Sequence, residues 1–270
     1  MIDKKIVLYI PVYNCINTIA QVLDEIPGDL LPALSILVVD NCSTDGTAEK
    51  VVEWANKQDR KCSVTVVRTR LNLGYSGSQK LAYSMLTMPE FEGVVQKVIM
   101  LHGDGQYPPI LLNNLVDLFD SKYAISYGYR SKRMHGSKEE TPWLVYMLIK
   151  TLSVIESFVT GVSSKEWHSG FVMYDISFLK RVRFSELTNT PHIDGHLQFI
   201  AGQLNLPVKA VAIYKRYKGY EAFGGADRIV YVLRVLSMMV GFRFAGNLVL
   251  QDEAEPRLPF AEHDLIYQSV

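Results

Sequence analysis

Four short polar segments hold most of the chemistry that this 270-residue sequence can offer. The most specific is Leu101-His102-Gly103-Asp104-Gly105-Gln106-Tyr107-Pro108-Pro109, which closes the apolar run Val98 to Leu101. A carboxylate in a glycine-flanked loop suits a hard divalent cation such as Mg2+ or Mn2+, which takes oxygen donors and keeps phosphate and water oxygens in its shell. Asp104 is that carboxylate, and Gln106 offers a second, amide oxygen. Asp-Gly pairs also make ordinary turns, so a turn role for Asp104 stands beside the ligand role. Asp40 closes a second apolar run, Ile36 to Val39, where its carboxylate can accept from a base N–H or from ribose hydroxyls. Asp45, followed by Gly46, reads as turn chemistry. Pro11, Tyr13 and Asn14 follow the run Ile6 to Ile10 and would line the same nucleoside pocket, Tyr13 by stacking on the base or by plain packing. In Asn72-Leu73-Gly74-Tyr75-Ser76-Gly77, Gly74 and Gly77 let the backbone approach a ligand closely. Lys80, one helical turn on, faces either a diphosphate or solvent.

For these segments to meet, the runs before them must be strands of one sheet. The runs Ile6 to Ile10, Ile36 to Val39, Val64 to Val67 and Val98 to Leu101 are short and wholly apolar, as in parallel strands buried on both faces. Helix signals alternate with them. Ile16, Ile19, Leu23 and Ile26 recur at helical spacing until Pro27-Gly28, and further helices are predicted over about 47–56 and from the glycine-rich turn to about Met88. Such alternation predicts an α/β chain with a mostly parallel central sheet and helices on both faces, whose ligands bind beyond the carboxyl ends of the strands. The second half is less regular: Pro108-Pro109 opens a helix, Trp143 to Val159 reads as a long apolar helix, and Tyr123 to Tyr127, Phe171 to Tyr174 and Val208 to Ile213 read as strands.

Charge sets limits on partners. Lys and Arg number 28 and Asp and Glu 28, so there is no electrostatic footprint for nucleic acid. Three cysteines, Cys15, Cys42 and Cys62, have neither metal-ligand spacing nor the even count of a disulfide framework. The first residues run straight into a strand-like stretch without the long apolar core of a signal peptide, so the chain is expected to work in the cytoplasm.

Taken in order, Ile10-Pro11-Val12-Tyr13-Asn14, the segment from Val38 to Thr47, the segment from Asn72 to Lys80 and the segment from Leu101 to Pro109 resemble family 2 glycosyltransferases of the GT-A fold. The likeness is to the branch with an HGDGQYPP segment, related to polyprenyl-phosphate sugar synthases, and it extends from Ile6 to about Tyr220. The resemblance implies an inverting transfer of a sugar from a nucleotide-sugar donor, UDP-linked above all, to a lipid-linked or saccharide acceptor, with Mg2+ or Mn2+ at Asp104 and Gln106. It implies Asp40 at the nucleoside and Asp194, in His192-Ile193-Asp194-Gly195-His196, as catalytic base. His102 stands where the family often has the first of two acids, and His196 where a second acid often follows the base. The segment Trp167-His168-Ser169-Gly170-Phe171 matches the acceptor side, with His168 and Gly170 beside the reacting groups, and Arg216 and Lys218 match a basic position that neutralises phosphate. His102 and Gly103 join Pro11, Tyr13, Asn14, Asp40, Gly74 and Lys80 on the donor side.

The expected organisation is one GT-A domain over 1–226, with a donor half to about 110 and an acceptor half to about 226, followed by an amphipathic helix and tail over 227–270. In that helix Ile229, Val232, Leu233, Leu236 and Val240 share a face, with Arg234, Ser237 and Gly241 opposite. Its longest uncharged run, Val235 to Phe242, is far shorter than the ~20 residues of a membrane span, so the helix reads as a membrane-surface contact, a packing element or a homo-oligomer interface. Two rival functions remain: a sugar nucleotidyltransferase, against which Pro11-Val12-Tyr13-Asn14 replaces the expected Gly-, Arg- and Lys-bearing loop, and a GT-A protein that binds nucleotide without turnover.

Overall fold

The computed structural model describes residues 2–57, 62–131, 143–216, 233, 235–241, 243–244 and 261–269. The apolar runs become strands because alternate residues of each find a hydrophobic layer on either side. In β1 (Ile6–Val12), Val7 and Tyr9 enter one core, while Ile6, Leu8, Ile10 and Val12 enter the other. β2 (Leu34–Asp40) is buried throughout, and β3 (Ser63–Thr69) and β4 (Lys97–Met100) complete the parallel centre of the sheet. Burial on both faces is why these segments carry no polar alternation.

The sheet has eight strands in the order β7-β5-β6-β4-β1-β2-β3-β8, where β5 is Ile125–Arg130, β6 Val172–Asp175, β7 Val208–Ile213 and β8 His263–Gln268. All but β6 and β8 run the same way. The reversal at β6 matters for function: the segment that enters β6 lies at the edge where the parallel strands end. The helices are α1 (Ile19–Asp24), α2 (Thr47–Asn56), α3 (Gly74–Leu86), α4 (Leu112–Val116), α5 (Trp143–Thr160), α6 (Ile176–Leu179) and α7 (Ile193–Gln203). At the end of β5, Arg130 is buried against Glu166, whose Oε1 accepts from Arg130 Nε at 2.7 Å and whose Oε2 accepts from its N–H at 2.8 Å, fixing the approach to β6.

Two features differ from the sequence reading. The tail returns to the domain as β8, antiparallel to β3, with Arg70 beside Glu262 and Asp264 at the same edge. The helix before it packs through Val235 and Met239, which join Trp167 and Phe199 in a small core, while Leu233 and Val240 of the predicted apolar face are exposed. Ile229, Val232 and Arg234 lie outside the described residues. In α5, Trp143, Met147, Val154, Ile155 and Phe158 are exposed. Among the described residues no helix is long and apolar enough to cross a membrane.

Candidate active site

The carboxyl ends of β1, β2 and β3 build one wall. Asn41 N–H donates to Val12 O at 2.9 Å, tying the end of β2 to that of β1. Asn14, at a φ of 51°, accepts from Thr44 N–H through its side chain and donates its own N–H to Ser43 Oγ. Tyr13 is exposed beside it, open to a stacking partner. Asp40 is not an open carboxylate at the pocket mouth. It is fully buried, with Oδ1 accepting from Ser43 N–H at 2.9 Å and Oδ2 from Arg68 Nε at 2.8 Å, so it holds the loop rather than presenting an empty oxygen. Asp45 accepts from Thr47 and from Ile16 N–H, the turn and cap role. Asn41 accepts from Leu73 N–H and donates to Asn72, which fixes the turn into α3; Gly74 sits there at a φ of 68° that disfavours a side chain.

The β4 loop forms the centre. Gly103 is pressed on β1, where a Cβ would meet Val12 Cγ1 at 2.5 Å and Pro11 O at 3.3 Å, and this seats the loop that carries Asp104 against the end of β1. Asp104 Oδ1 accepts from Gln106 N–H at 2.9 Å, while the side chain stays 39% exposed. His102 Nδ1 is 3.9 Å from Asp104 Oδ2, and its Nε2 is 3.4 Å from the Tyr75 hydroxyl. Burial pushes the His102 pKa down to about 4, so it is a neutral imidazole at pH 7. Gly170 comes within reach because β6 is antiparallel: its N–H donates to the Tyr107 hydroxyl, and a Cβ there would lie 2.4 Å from His102 Nε2.

The acceptor-side residues are brought close but are more buried than the sequence suggests. Asp194, in the first turn of α7, is buried and accepts from Tyr174 OH at 2.8 Å, Tyr75 OH at 2.9 Å and Gln79 Nε2 at 3.3 Å. Desolvation outweighs those donors and pushes its pKa up to about 6. Lys80 does not face a diphosphate. It is fully buried, and its Nζ donates to Leu187 O and to Asn189 Oδ1, an internal strut between α3 and the segment before α7. His168 contacts Glu156 through Nε2 at 2.8 Å and His192 through Nδ1 at 3.0 Å. His196 is an interior histidine, pushed down to about 3 by burial, with Nδ1 accepting from Thr188 N–H. Arg216 pairs with Glu25 at 2.8 Å, and its N–H donates to Gln106 O, so it braces the Asp104 loop from behind. Lys218 lies outside the described residues.

Two contributors escaped sequence reasoning. Lys215 lies 4.9 Å over the Tyr107 ring and is the positive charge felt at His102, a better placed cation than Arg216. Tyr75, hidden within a turn motif, bridges His102 and Asp194. The arrangement can hold a nucleoside against the β1 and β2 loops, a cation at Asp104 and a proton acceptor at Asp194.

The profile of Glycosyl transferase family 2 matches residues 7–187 of the chain. A polyprenol monophosphomannose synthase of Mycolicibacterium smegmatis is 23% identical over 188 residues, which cover 67% of this chain and 66% of that protein, just under two thirds of its length. Among solved structures, glucosyl-3-phosphoglycerate synthase from Mycobacterium tuberculosis, with Mn2+, UDP and glucosyl-3-phosphoglycerate, superposes with a TM-score of 0.59 at 13% identity, covering 93% of this chain and 82% of that one. TarS 1–349 of S. aureus, also solved with UDP-GlcNAc, gives a TM-score of 0.51 at 16% identity, covering 89% of this chain. At such identities the two structures speak for the fold alone.

Proposed function

The chain belongs to glycosyl transferase family 2, and on that premise we propose that it is a glycosyltransferase that moves a sugar, with inversion, from a nucleoside diphosphate donor to a lipid-linked or saccharide acceptor. The observation that carries this reading is the half-open Asp104 carboxylate, 3.9 Å from His102, which through the Tyr75 hydroxyl is linked to buried Asp194. Asp104, with the Gln106 amide, would hold Mg2+ or Mn2+: Oδ1 is already fixed by Gln106 N–H, which leaves Oδ2 for a cation. Held there, such an ion would offset charge on the departing diphosphate. Lys215 adds positive charge on the same side. Tyr13, Asn14 and the loop anchored by Asp40 hold the nucleoside. Asp194 does not face solvent, so the acceptor proton reaches it through the Tyr75 hydroxyl, 2.9 Å from Oδ2. A prenyl phosphate acceptor is already anionic and needs no such step.

A panel of sugar nucleotides, with and without Mn2+, tests the donor. Ligand at a hundred times its dissociation constant stabilises by about 2.7 kcal/mol, readily seen in a melt. UDP is expected to bind more tightly than GDP. Asp40→Ala, which frees the loop at Ser43, raises the donor dissociation constant at least tenfold, about 1.4 kcal/mol, in calorimetry; unchanged affinity removes Asp40 from the site. Slow donor hydrolysis without acceptor separates an enzyme from a silent nucleotide binder, a reading kept alive by His102, a neutral group where an acid is frequent.

The lipid-linked acceptor is supported by apolar side chains exposed on α5 (Trp143, Met147, Phe158) and on the helical residues beyond it (Leu233, Val240, Phe244). The chain is expected to float with anionic liposomes at low salt and to float less after Phe158→Glu. Retention in the dense fraction points to a soluble acceptor.

A further inference from the structure

Behind Gly170, α5, the entry to β6 and the start of α7 bring together a carboxylate and two imidazoles. Glu156 is fully buried, with Oε1 2.8 Å from His168 Nε2, and His168 Nδ1 is 3.0 Å from His192 Nδ1. The proton accounting does not close. If His168 donates through Nε2 to Glu156, its Nδ1 is an acceptor for the Nδ1–H of His192, and the bare His192 Nε2 then needs a donor. Both His192 Nε2 and Glu156 Oε2 are buried with no hydrogen-bond partner. Two orphaned acceptors inside one buried cluster are costly. A cation is what such an excess of acceptors would bind.

We propose that Glu156, His168 and His192 form a site for one Zn2+-class ion, distinct from the cation at Asp104. One ligand atom from each of the three lies within 4.8 Å of the others. Tetrahedral Zn2+ with bonds of about 2.0–2.2 Å separates its ligands by roughly 3.4 Å, so binding would draw the ligand atoms together by about an ångström. The fourth position is left to water. Imidazole nitrogen with a single carboxylate favours Zn2+ and its transition-metal neighbours, whereas the all-oxygen set at Asp104 and Gln106 favours Mg2+ or Mn2+. The bound ion would pin α5, the 167–170 segment and α7 together, and so fix the wall on which Gly170 meets His102.

The test uses tag-free full chain, stripped with chelator and then titrated with Zn2+ in calorimetry and with Co2+ by visible absorption. One equivalent is expected to bind, with the intense d–d bands of tetrahedral Co2+, and millimolar Mg2+ should not displace it. Glu156→Gln and His192→Asn each weaken binding at least tenfold, while Asp104→Ala leaves it unchanged. No uptake, weak octahedral bands, or equal affinity in Glu156→Gln and His192→Asn overturns the site. Should those variants not fold, the Co2+ spectrum of the unmutated chain decides alone.

Discussion

Asp104→Ala lowers kcat/KM for sugar transfer by about 10³-fold, roughly 4 kcal/mol of transition-state stabilisation, and leaves the melting temperature within a few degrees. The large effect follows from position. Asp104 stands at the end of β4, on a loop seated by the contact of Gly103 with β1, and it is the half-exposed carboxylate of that loop. The small structural cost follows from its single backbone partner, Gln106 N–H. Asp104→Asn separates the two roles. An amide oxygen still accepts from Gln106 N–H and so keeps the turn, but it is a poorer ligand for a hard divalent cation, and transfer should fall nearly as far. Turnover of donor measured by released nucleoside diphosphate decides the matter: near-normal rates in a folded Asn or Ala variant remove the cation from Asp104.

Asp194→Asn lowers transfer to a hydroxyl acceptor by about 10²–10⁴-fold and hardly alters transfer to a phosphate acceptor, because only the first requires proton removal. The pH profile gives a second readout. Burial holds the Asp194 pKa up at about 6, so kcat/KM of the unmutated enzyme should rise with pH through about 6 as the carboxylate ionises, and the variant should lack that inflection. The stability sign is opposite. A carboxyl raised from its ordinary value of 3.8 stabilises the fold fully below about pH 3.8, and that contribution is lost as pH rises through 6. At pH 8 the variant is therefore expected to melt no lower than the parent. A variant that loses donor affinity instead would show Asp194 to hold the donor.

The parallel centre was legible because buried strands are written as unbroken apolar runs, and Ile36 to Val39 or Val98 to Leu101 have no other economical reading. The place of Asp104 in the loop after a strand was legible for the same reason. Lys80 was not. Every residue from Ser76 to Ser84 in α3 is buried, polar ones included, so helical position could not separate a solvated lysine from an internal strut. Lys215 and Arg216 are neighbours at the end of β7, and which one points at Tyr107 and which at Glu25 is set by strand geometry that charge counting ignores. β8 was invisible because its outer residues, such as Asp264 and Leu265, stay exposed and leave no apolar pattern. The Glu156 cluster joins residues from three elements, and no local spacing announces it.

The pairing of β8 with β3 also sets a clock. Val64 and Ser269 bond across a separation of 205 residues. At ribosomal speeds of about 5–20 residues per second, the partner of β3 emerges roughly 10–40 s after β3 itself. Through that interval the nascent sheet offers an unpaired strand edge, the very template on which chains join to one another. The proposed nucleoside wall, which rests on Thr69, Asn41 and the Asn72 turn at the end of β3, is thus assembled beside an unfinished border. Holding that border apart from neighbouring chains until residues 263–268 arrive is work for a chaperone, or for synthesis sparse enough that nascent chains seldom meet.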